Sequence, residues 1–402
     1  MSDTERISTK LDRFQPSLTL RLKESANRRR ARGLPLFDLG LGETKGDLAV
    51  RIRDAAKSAY DQGRTMYEDP AGIVELRRRI LGWLDVEDHY GIENVVVTTG
   101  AKQSLLNVFL AVCDPGDTVL MEAAPWVSYQ PLVLAANARP RAVVAGRGEA
   151  NFFKVGADDL KQAIDSHDRV KVFLLNSPVN PTSQVYSAEE FAALMEVCVR
   201  RGVFLLLDRL YWRIIYDGKS YPEPELSSQN LKWLIQVDGI SKNFRRTGGM
   251  RIGWSVGPAD VLKAMINLQS HCTSGPSVPS QWGALAAISG DYDFELRDEL
   301  EGLRNRIYAA RERLAPVKVW DSAGAFYSFW DVRACFGKRT PADETLETSV
   351  GVAEYLLEHA GVVTAPGSAF LQEGFLRLSF AMLPGEIDAA LDAAVGAFGE
   401  LR

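Results

Sequence analysis

Apolar residues recur along this chain with two periods, and the change from one to the other divides it. Between residues 10 and 32 the apolar positions Leu11, Phe14, Leu18, Leu22 and Ala26 fall on one side of a helical wheel, which predicts a helix. Residues 48–62 and 72–84 repeat that spacing and predict two more amphipathic helices. From residue 94 onward short runs rich in Val and Leu begin, at 95–98, 119–121, 170–175, 203–207 and 234–237. They alternate with helical stretches at 103–113, 188–201 and 258–269. Strands apolar on both faces, separated by helices, predict an α/β fold: a mostly parallel sheet sandwiched by helices. Residues 287–316 predict one or two long helices leading into a smaller domain. That domain begins near Gly324-Ala325-Phe326-Tyr327-Ser328-Phe329-Trp330 and closes with a helix after Pro384.

At 402 residues the chain is too long for one simple core. The expected organisation is a large domain over 48–300 and a smaller α+β domain built from both termini, 1–47 and 301–402. A net charge of −5, from 47 basic and 52 acidic side chains, gives no general attraction to nucleic acid or an anionic membrane. The basic run Asn27-Arg28-Arg29-Arg30-Ala31-Arg32 reads first as a solvated helix face, with an anion or nucleic-acid patch as the lesser alternative. Cys113, Cys198, Cys272 and Cys335 form no CxxC pair, and His89, His167, His271 and His359 form no HExxH. A disulfide framework and a metal site are therefore not expected, and a reducing cytoplasm is. The opening Met1-Ser2-Asp3-Thr4-Glu5-Arg6 lacks an apolar signal core, and the longest apolar runs are too short to span a bilayer.

In sheets of this kind ligands bind at the carboxyl ends of the strands, and those ends carry the chemistry here. The run Ile235-Gln236-Val237-Asp238-Gly239-Ile240 leads into Ser241-Lys242. Desolvation at the lip of a buried strand lowers a lysine's pKa and frees the amine to form a Schiff base with an aldehyde. A lysine in a solvated loop is the ordinary reading of such a residue. Asp208 follows three leucines directly, so its carboxylate must face a cation or a donor, and Tyr211 lies three positions on. Thr98-Thr99-Gly100-Ala101-Lys102 opens a helix, where backbone N–H groups make an anion cradle. Trp126 stacks on a flat ring or packs in the core, and Asn180 either turns the chain or points its amide into a cleft.

In this order the motifs resemble those of the class I/II aminotransferases, which are fold-type-I pyridoxal-5′-phosphate enzymes. They are Tyr67-Glu68-Asp69-Pro70-Ala71-Gly72, Gly100-Ala101-Lys102, Asn180-Pro181-Thr182, Asp208 with Tyr211, Ser241-Lys242 and Arg251-Ile252-Gly253-Trp254. Ala365-Pro366-Gly367-Ser368-Ala369-Phe370 and Arg377-Leu378-Ser379 complete the series. Pro125-Trp126-Val127-Ser128-Tyr129 is similar to a loop of the bacterial aspartate aminotransferase branch. The resemblance implies an enzyme that moves an amino group from an L-amino acid to a 2-oxo acid. It implies that Lys242 holds the cofactor aldehyde and shuttles protons, that Asp208 pairs with the ring nitrogen, and that Tyr211 and Asn180 bind the phenolic oxygen. Trp126 would stack on the ring, and Gly100, Ala101, Ser241 and Arg251 would hold the phosphate, with Lys102 in the same turn. Tyr67 would reach the phosphate of a neighbouring subunit, which makes a homodimer with a shared site. Arg377 would bind the substrate α-carboxylate, with Asn180 and Gly42 also at the substrate. Lys102 is similar to the group that meets a distal carboxylate, which favours an aspartate-like donor.

The chain also departs from that pattern. Arg251 stands nine positions after Lys242, one more than usual, which leaves Arg245 and Arg246 as alternative phosphate ligands. Arg209 replaces a common acidic residue, Trp212 and Arg213 follow it, and Ser183 replaces a glycine. Glu43-Thr44-Lys45-Gly46-Asp47 also differs from the usual version. These changes are expected near the substrate's entry. They keep open an alternative in which the same cofactor serves elimination, cyclisation or oxidation. A DNA-binding regulator is a remote reading, because no basic helix-turn-helix precedes the fold-like sequence.

Overall fold

The computed structural model describes Ser8 and residues 18–145, 152–290 and 294–402, with the side chains of 18–23 and 294 outside that description. The first predicted helix is present as α1, Leu18–Ala31, while residues 10–17 lie outside the described part. The next two predicted helices form α2, Val50–Asp61, and α3, Val74–Trp83.

A seven-stranded sheet occupies the middle of the molecule. In chain order its strands are β1 Val95–Thr98, β2 Thr118–Met121, β3 Arg139–Ala142, β4 Val170–Asn176, β5 Phe204–Asp208, β6 Leu234–Gly239 and β7 Gly253–Val256. In space they run β1-β7-β6-β5-β4-β2-β3. Every pairing is parallel except those of β7, which is antiparallel to both β1 and β6. All the runs read from the sequence as strands belong to this sheet. The pattern did not reveal β3 or β7. β3 is an edge strand with the polar sequence Arg-Pro-Arg-Ala, and edge strands need no apolar pattern.

The strands alternate their side chains between two apolar layers, as the pleat requires. Leu205 and Leu207 join the layer containing Trp83 and Trp212, while Leu206 joins the layer containing Tyr129 and Met265. Full burial of such a leucine contributes roughly 1.5–3 kcal/mol, so the two layers fix which way each strand-end residue points. The 188–201 helix starts at a capping box: the Glu190 N–H donates to Ser187 Oγ at 3.2 Å, and the Ser187 N–H donates to Glu190 Oε2 at 2.7 Å. It ends at Gly202, whose φ of +64° suits glycine.

The stretch expected as one or two helices over 287–316 contains one, Phe294–Ala309, preceded by the end of another, Val278–Ser289; the former is the longer of the two. Of the two, it is Phe294–Ala309 that leads into the smaller domain. Leu296, Leu300, Leu303 and Ile307 of that helix pack with Trp330 and Leu378 of a four-stranded antiparallel sheet. Tyr327–Asp331 and Phe375–Ser379 are its central pair, with Phe329 opposite Arg377. Phe37–Asp38 pairs in parallel with Val362–Val363, which joins the two ends of the chain. Ser379 N–H donates to Leu39 O at 2.6 Å beside that pairing.

Candidate active site

The carboxyl ends of β4, β5 and β6 open into a cavity of about 710 Å³. One turn of helix, Ile240–Asn243, follows β6 and carries Lys242 into it. The Lys242 ammonium donates to the carbonyl of Gly42. Burial lowers its pKa from 10.5 to about 8; the nearby Arg377 and Arg251 charges act the same way, while Glu43 and Asp208 oppose them.

Asp208 ends β5 on the face that carries Leu206. Its Oδ2 accepts from the Tyr129 hydroxyl at 2.7 Å and its Oδ1 from the Leu210 N–H at 3.2 Å. Burial raises its pKa from 3.8 to about 6, partly offset by those two hydrogen bonds and the Lys242 charge. The Tyr211 and Tyr327 hydroxyls lie 2.8 Å apart, and burial pushes both pKa values upward. The Asn180 amide stands 3.5 Å from the Tyr211 hydroxyl, and the Asn180 N–H donates to Asn176 Oδ1 at 2.7 Å.

Arg377 enters from the smaller sheet. Its Nη1 donates to Asn180 Oδ1 at 3.2 Å and its Nη2 to Gly40 O at 2.6 Å. Its guanidinium lies 4.7 Å from the Tyr327 ring centre. Its buried Nε has no partner, so the group retains donor capacity for an anion.

A second anion-binding feature faces the lysine. Ala101 begins a twelve-residue helix, Ala101–Val112, preceded by Gly100 at φ +79°. A Cβ on Gly100 would stand 2.3 Å from Arg251 Nη2, so only glycine lets the arginine lie against this helix start. The single extra residue before Arg251 is absorbed in a short 3-10 turn, Gly248–Met250, with Arg251 itself at φ +56°. Arg251 lines the cavity, whereas Arg245 is held by Glu299 at 2.9 Å. Trp126 and Ser241 line the same space, and the Lys102 ammonium sits 4.9 Å over the Trp126 ring. Burial, reinforced by the Arg251 charge, lowers the Lys102 pKa.

Tyr67 is 93% exposed and stands apart from this cavity, against a groove with Met66, Thr273 and Ser274. The expectation that Arg209, Trp212 and Ser183 flank the substrate's entry is overturned. Arg209 is fully buried on the opposite face of β5, and the Trp212 indole donates to Asp238 at 2.9 Å. Ser183 is buried and donates to Tyr327 O at 2.7 Å. Strand alternation and the turn after β5 send Arg209 and Trp212 away from the cavity, and the Ser183 hydroxyl is taken by the Tyr327 backbone, which removes their support for a reaction other than transamination. Tyr129, Asn176 and Tyr327 are site residues that the sequence motifs did not single out. Tyr129 ends the Pro125-Trp126-Val127-Ser128-Tyr129 loop; Tyr327 carried no signal of its own.

The sequence profile of the class I and II aminotransferases matches residues 35–393. The chain belongs to that family. Aspartate aminotransferase of Rhizobium meliloti is 35% identical over 376 residues, covering 92% of this chain and 90% of that protein. Aspartate/prephenate aminotransferase of Nitrosomonas europaea is 35% identical over 389 residues, covering 94% and 95%. The crystal structure of the Rhizobium meliloti enzyme matches with a TM-score of 0.93 at 32% identity, over 98% of this chain and 99% of that one. The aspartate aminotransferase of Thermus thermophilus with maleate matches with a TM-score of 0.87 at 30% identity, over 97% and 99%. This chain is therefore an aminotransferase that uses pyridoxal 5′-phosphate, with amino acids and 2-oxo acids as substrates. The residues present suit that cofactor. A phosphorylated pyridine aldehyde needs an amine of lowered pKa, an anion cradle and a buried carboxylate, and these meet in one cavity.

Proposed function

We propose that this aminotransferase takes its amino group from aspartate or a similar dicarboxylic amino acid, through the residues that meet around Lys242. The observation that carries the reading is a second cation, Lys102, lining the same cavity as Lys242, Asp208 and Arg377, where it can meet a distal carboxylate. When bound, pyridoxal 5′-phosphate supplies an aldehyde carbon for the Lys242 amine and a ring that accepts the electron pair released at the substrate α-carbon.

Gly100, Ala101, Ser241 and Arg251 would hold the phosphate through backbone N–H groups and a guanidinium at the helix start. Asp208 would keep a proton on the ring nitrogen; Tyr129, donating to its Oδ2, fixes the carboxylate's orientation. Tyr211 and Asn180 would donate to the phenolic oxygen, and Trp126, which lines the same cavity, would pack against the ring. Arg377 exchanges its contact with Gly40 O for the substrate α-carboxylate. Lys242 Nζ would accept and donate the proton at the substrate α-carbon, a role suited to an amine whose pKa is lowered to about 8. Lys102 meets the distal carboxylate.

The exposed Tyr67 and Met66 support a homodimer in which Tyr67 completes the phosphate site of the other subunit. The seven-stranded sheet, drawn from residues 95–256, and the four-stranded sheet, drawn from residues 318–379, support a cofactor domain over 48–300 and a smaller domain from 1–47 and 301–402. Among the described residues no helix is long and apolar enough to cross a membrane, and we place the enzyme in the cytoplasm.

The test loads purified protein with cofactor and offers single amino acids with 2-oxoglutarate. Aspartate or glutamate is expected to be the best donor, and Lys242→Ala is expected to abolish turnover. Turnover confined to apolar donors would overturn the substrate assignment, and undiminished turnover in Lys242→Ala would overturn the site.

A further inference from the structure

Arg209 is a fully buried cation that the mechanism above does not use. It sits between Asp208 and Tyr211 in sequence, yet points to the opposite face of β5. Its Nη1 donates to Gln236 Oε1 at 2.5 Å, and its Nη2 donates to Glu223 Oε1 at 2.7 Å. Gln236 belongs to β6, the strand that leads into Lys242. The guanidinium lies 4.4 Å over the Trp212 ring and 5.0 Å from that of Tyr221. Trp212 in turn donates to Asp238, also on β6, and its N–H donates to Arg209 O at 2.9 Å. The Arg209 N–H donates to Val237 O at 2.9 Å.

We propose that Arg209 is a positioning residue: by tying the turn after β5 to β6 and to Glu223, it fixes the direction from which Asp208 and Tyr211 reach the cofactor. This rests on the assignment of Asp208 and Tyr211 to the ring. The physical reason is leverage. Asp208 and Tyr211 are set by backbone torsions one and two residues from Arg209, and a guanidinium fork holds two acceptors in fixed geometry. Lysine carries its donors on a single nitrogen, cannot span two separated acceptors as a planar fork does, and does not stack in the same way.

The test compares Arg209→Gln, Arg209→Lys and Glu223→Gln, each loaded with pyridoxal 5′-phosphate. Three quantities are read: visible circular dichroism of the bound cofactor, the cofactor's dissociation constant, and kcat against KM. For Arg209→Gln we expect an altered dichroism amplitude, a kcat lower by roughly tenfold and a nearly unchanged KM, the signature of misplaced reacting groups. Arg209→Lys is expected to recover part of the kcat. Glu223→Gln, at a half-exposed site that does not threaten folding, is expected to shift the dichroism in the same direction by a smaller amount. Unchanged dichroism and kcat in Glu223→Gln and Arg209→Gln, with only a lower melting temperature, would reduce Arg209 to packing and overturn the proposal. If Arg209→Gln does not fold, unchanged dichroism and kcat in Glu223→Gln alone overturn it. Asp208→Asn separates the two levels. If it leaves the cofactor's spectrum untouched, the site assignment fails and the clamp with it. If it changes the spectrum while the Arg209 and Glu223 variants do not, only the clamp fails.

Discussion

The amine that drives the chemistry should cost the cofactor-free fold stability, and replacing Lys242 by methionine should reveal how much. Its pKa falls from 10.5 in an unfolded chain to about 8 in the folded one, chiefly through burial. At about 1.36 kcal/mol for each pH unit, that gap amounts to about 3 kcal/mol against folding. The opposing contribution is the hydrogen bond from Nζ to Gly42 O, worth about 1 kcal/mol net. Lys242→Met should therefore stabilise the cofactor-free protein by about 2 kcal/mol at neutral pH.

The sign depends on pH in a definite way. Below the folded pKa of about 8 the amine is protonated in both states, and the whole cost is present. Between about 8 and 10.5 the folded chain has lost a proton that the unfolded chain keeps, so wild-type stability rises with pH. Near pH 10 the remaining cost is about 1 kcal/mol, matching the lost hydrogen bond, and the variant's advantage should vanish. Urea unfolding of both cofactor-free proteins across this range measures it, because titrating groups that do not interact with Lys242 cancel in the difference. A variant no more stable than wild type at neutral pH, or a gain that does not change with pH, would refute the claim that Lys242 is desolvated.

Three further outcomes follow from the same geometry. Arg377→Lys removes the fork that now holds Asn180 Oδ1 and Gly40 O, so KM for amino donors should rise about tenfold or more in steady-state assays. Gly100→Ala places a Cβ 2.3 Å from Arg251 Nη2 at a φ of +79°. It should destabilise the fold by about 1–2 kcal/mol and weaken cofactor binding, while Gly249→Ala, which meets nothing within 4 Å, leaves cofactor titrations unchanged. Lys102→Gln should lower kcat/KM for aspartate by about tenfold or more and leave alanine within about threefold, since only the former has a distal carboxylate to lose.

Much of this site was legible in local sequence. An apolar run ending in Ser241-Lys242 placed the amine, three leucines before Asp208 placed the carboxylate, and Gly100-Ala101 placed the helix start. Each is a strand-end signal, and the parallel sheet brings strand ends together. Strand β7 was not legible, because Gly253–Val256 is only four residues long and its Gly and Ser leave no apolar run. Nor was Tyr327, which reaches Tyr211 across 116 residues of sequence.

By itself, then, the sequence determined the alternation of strands and helices, the residues at the strand ends and the amine around which they gather, because these follow from periodicity and short spacing. Only the tertiary structure decided which way the neighbouring side chains point. Asp208 and Arg209 are adjacent and both buried, yet one faces the cavity and the other a cage of Gln236, Glu223 and Trp212. The pleat assigns them to opposite faces, and only the layers packed on each face determine which face is the site.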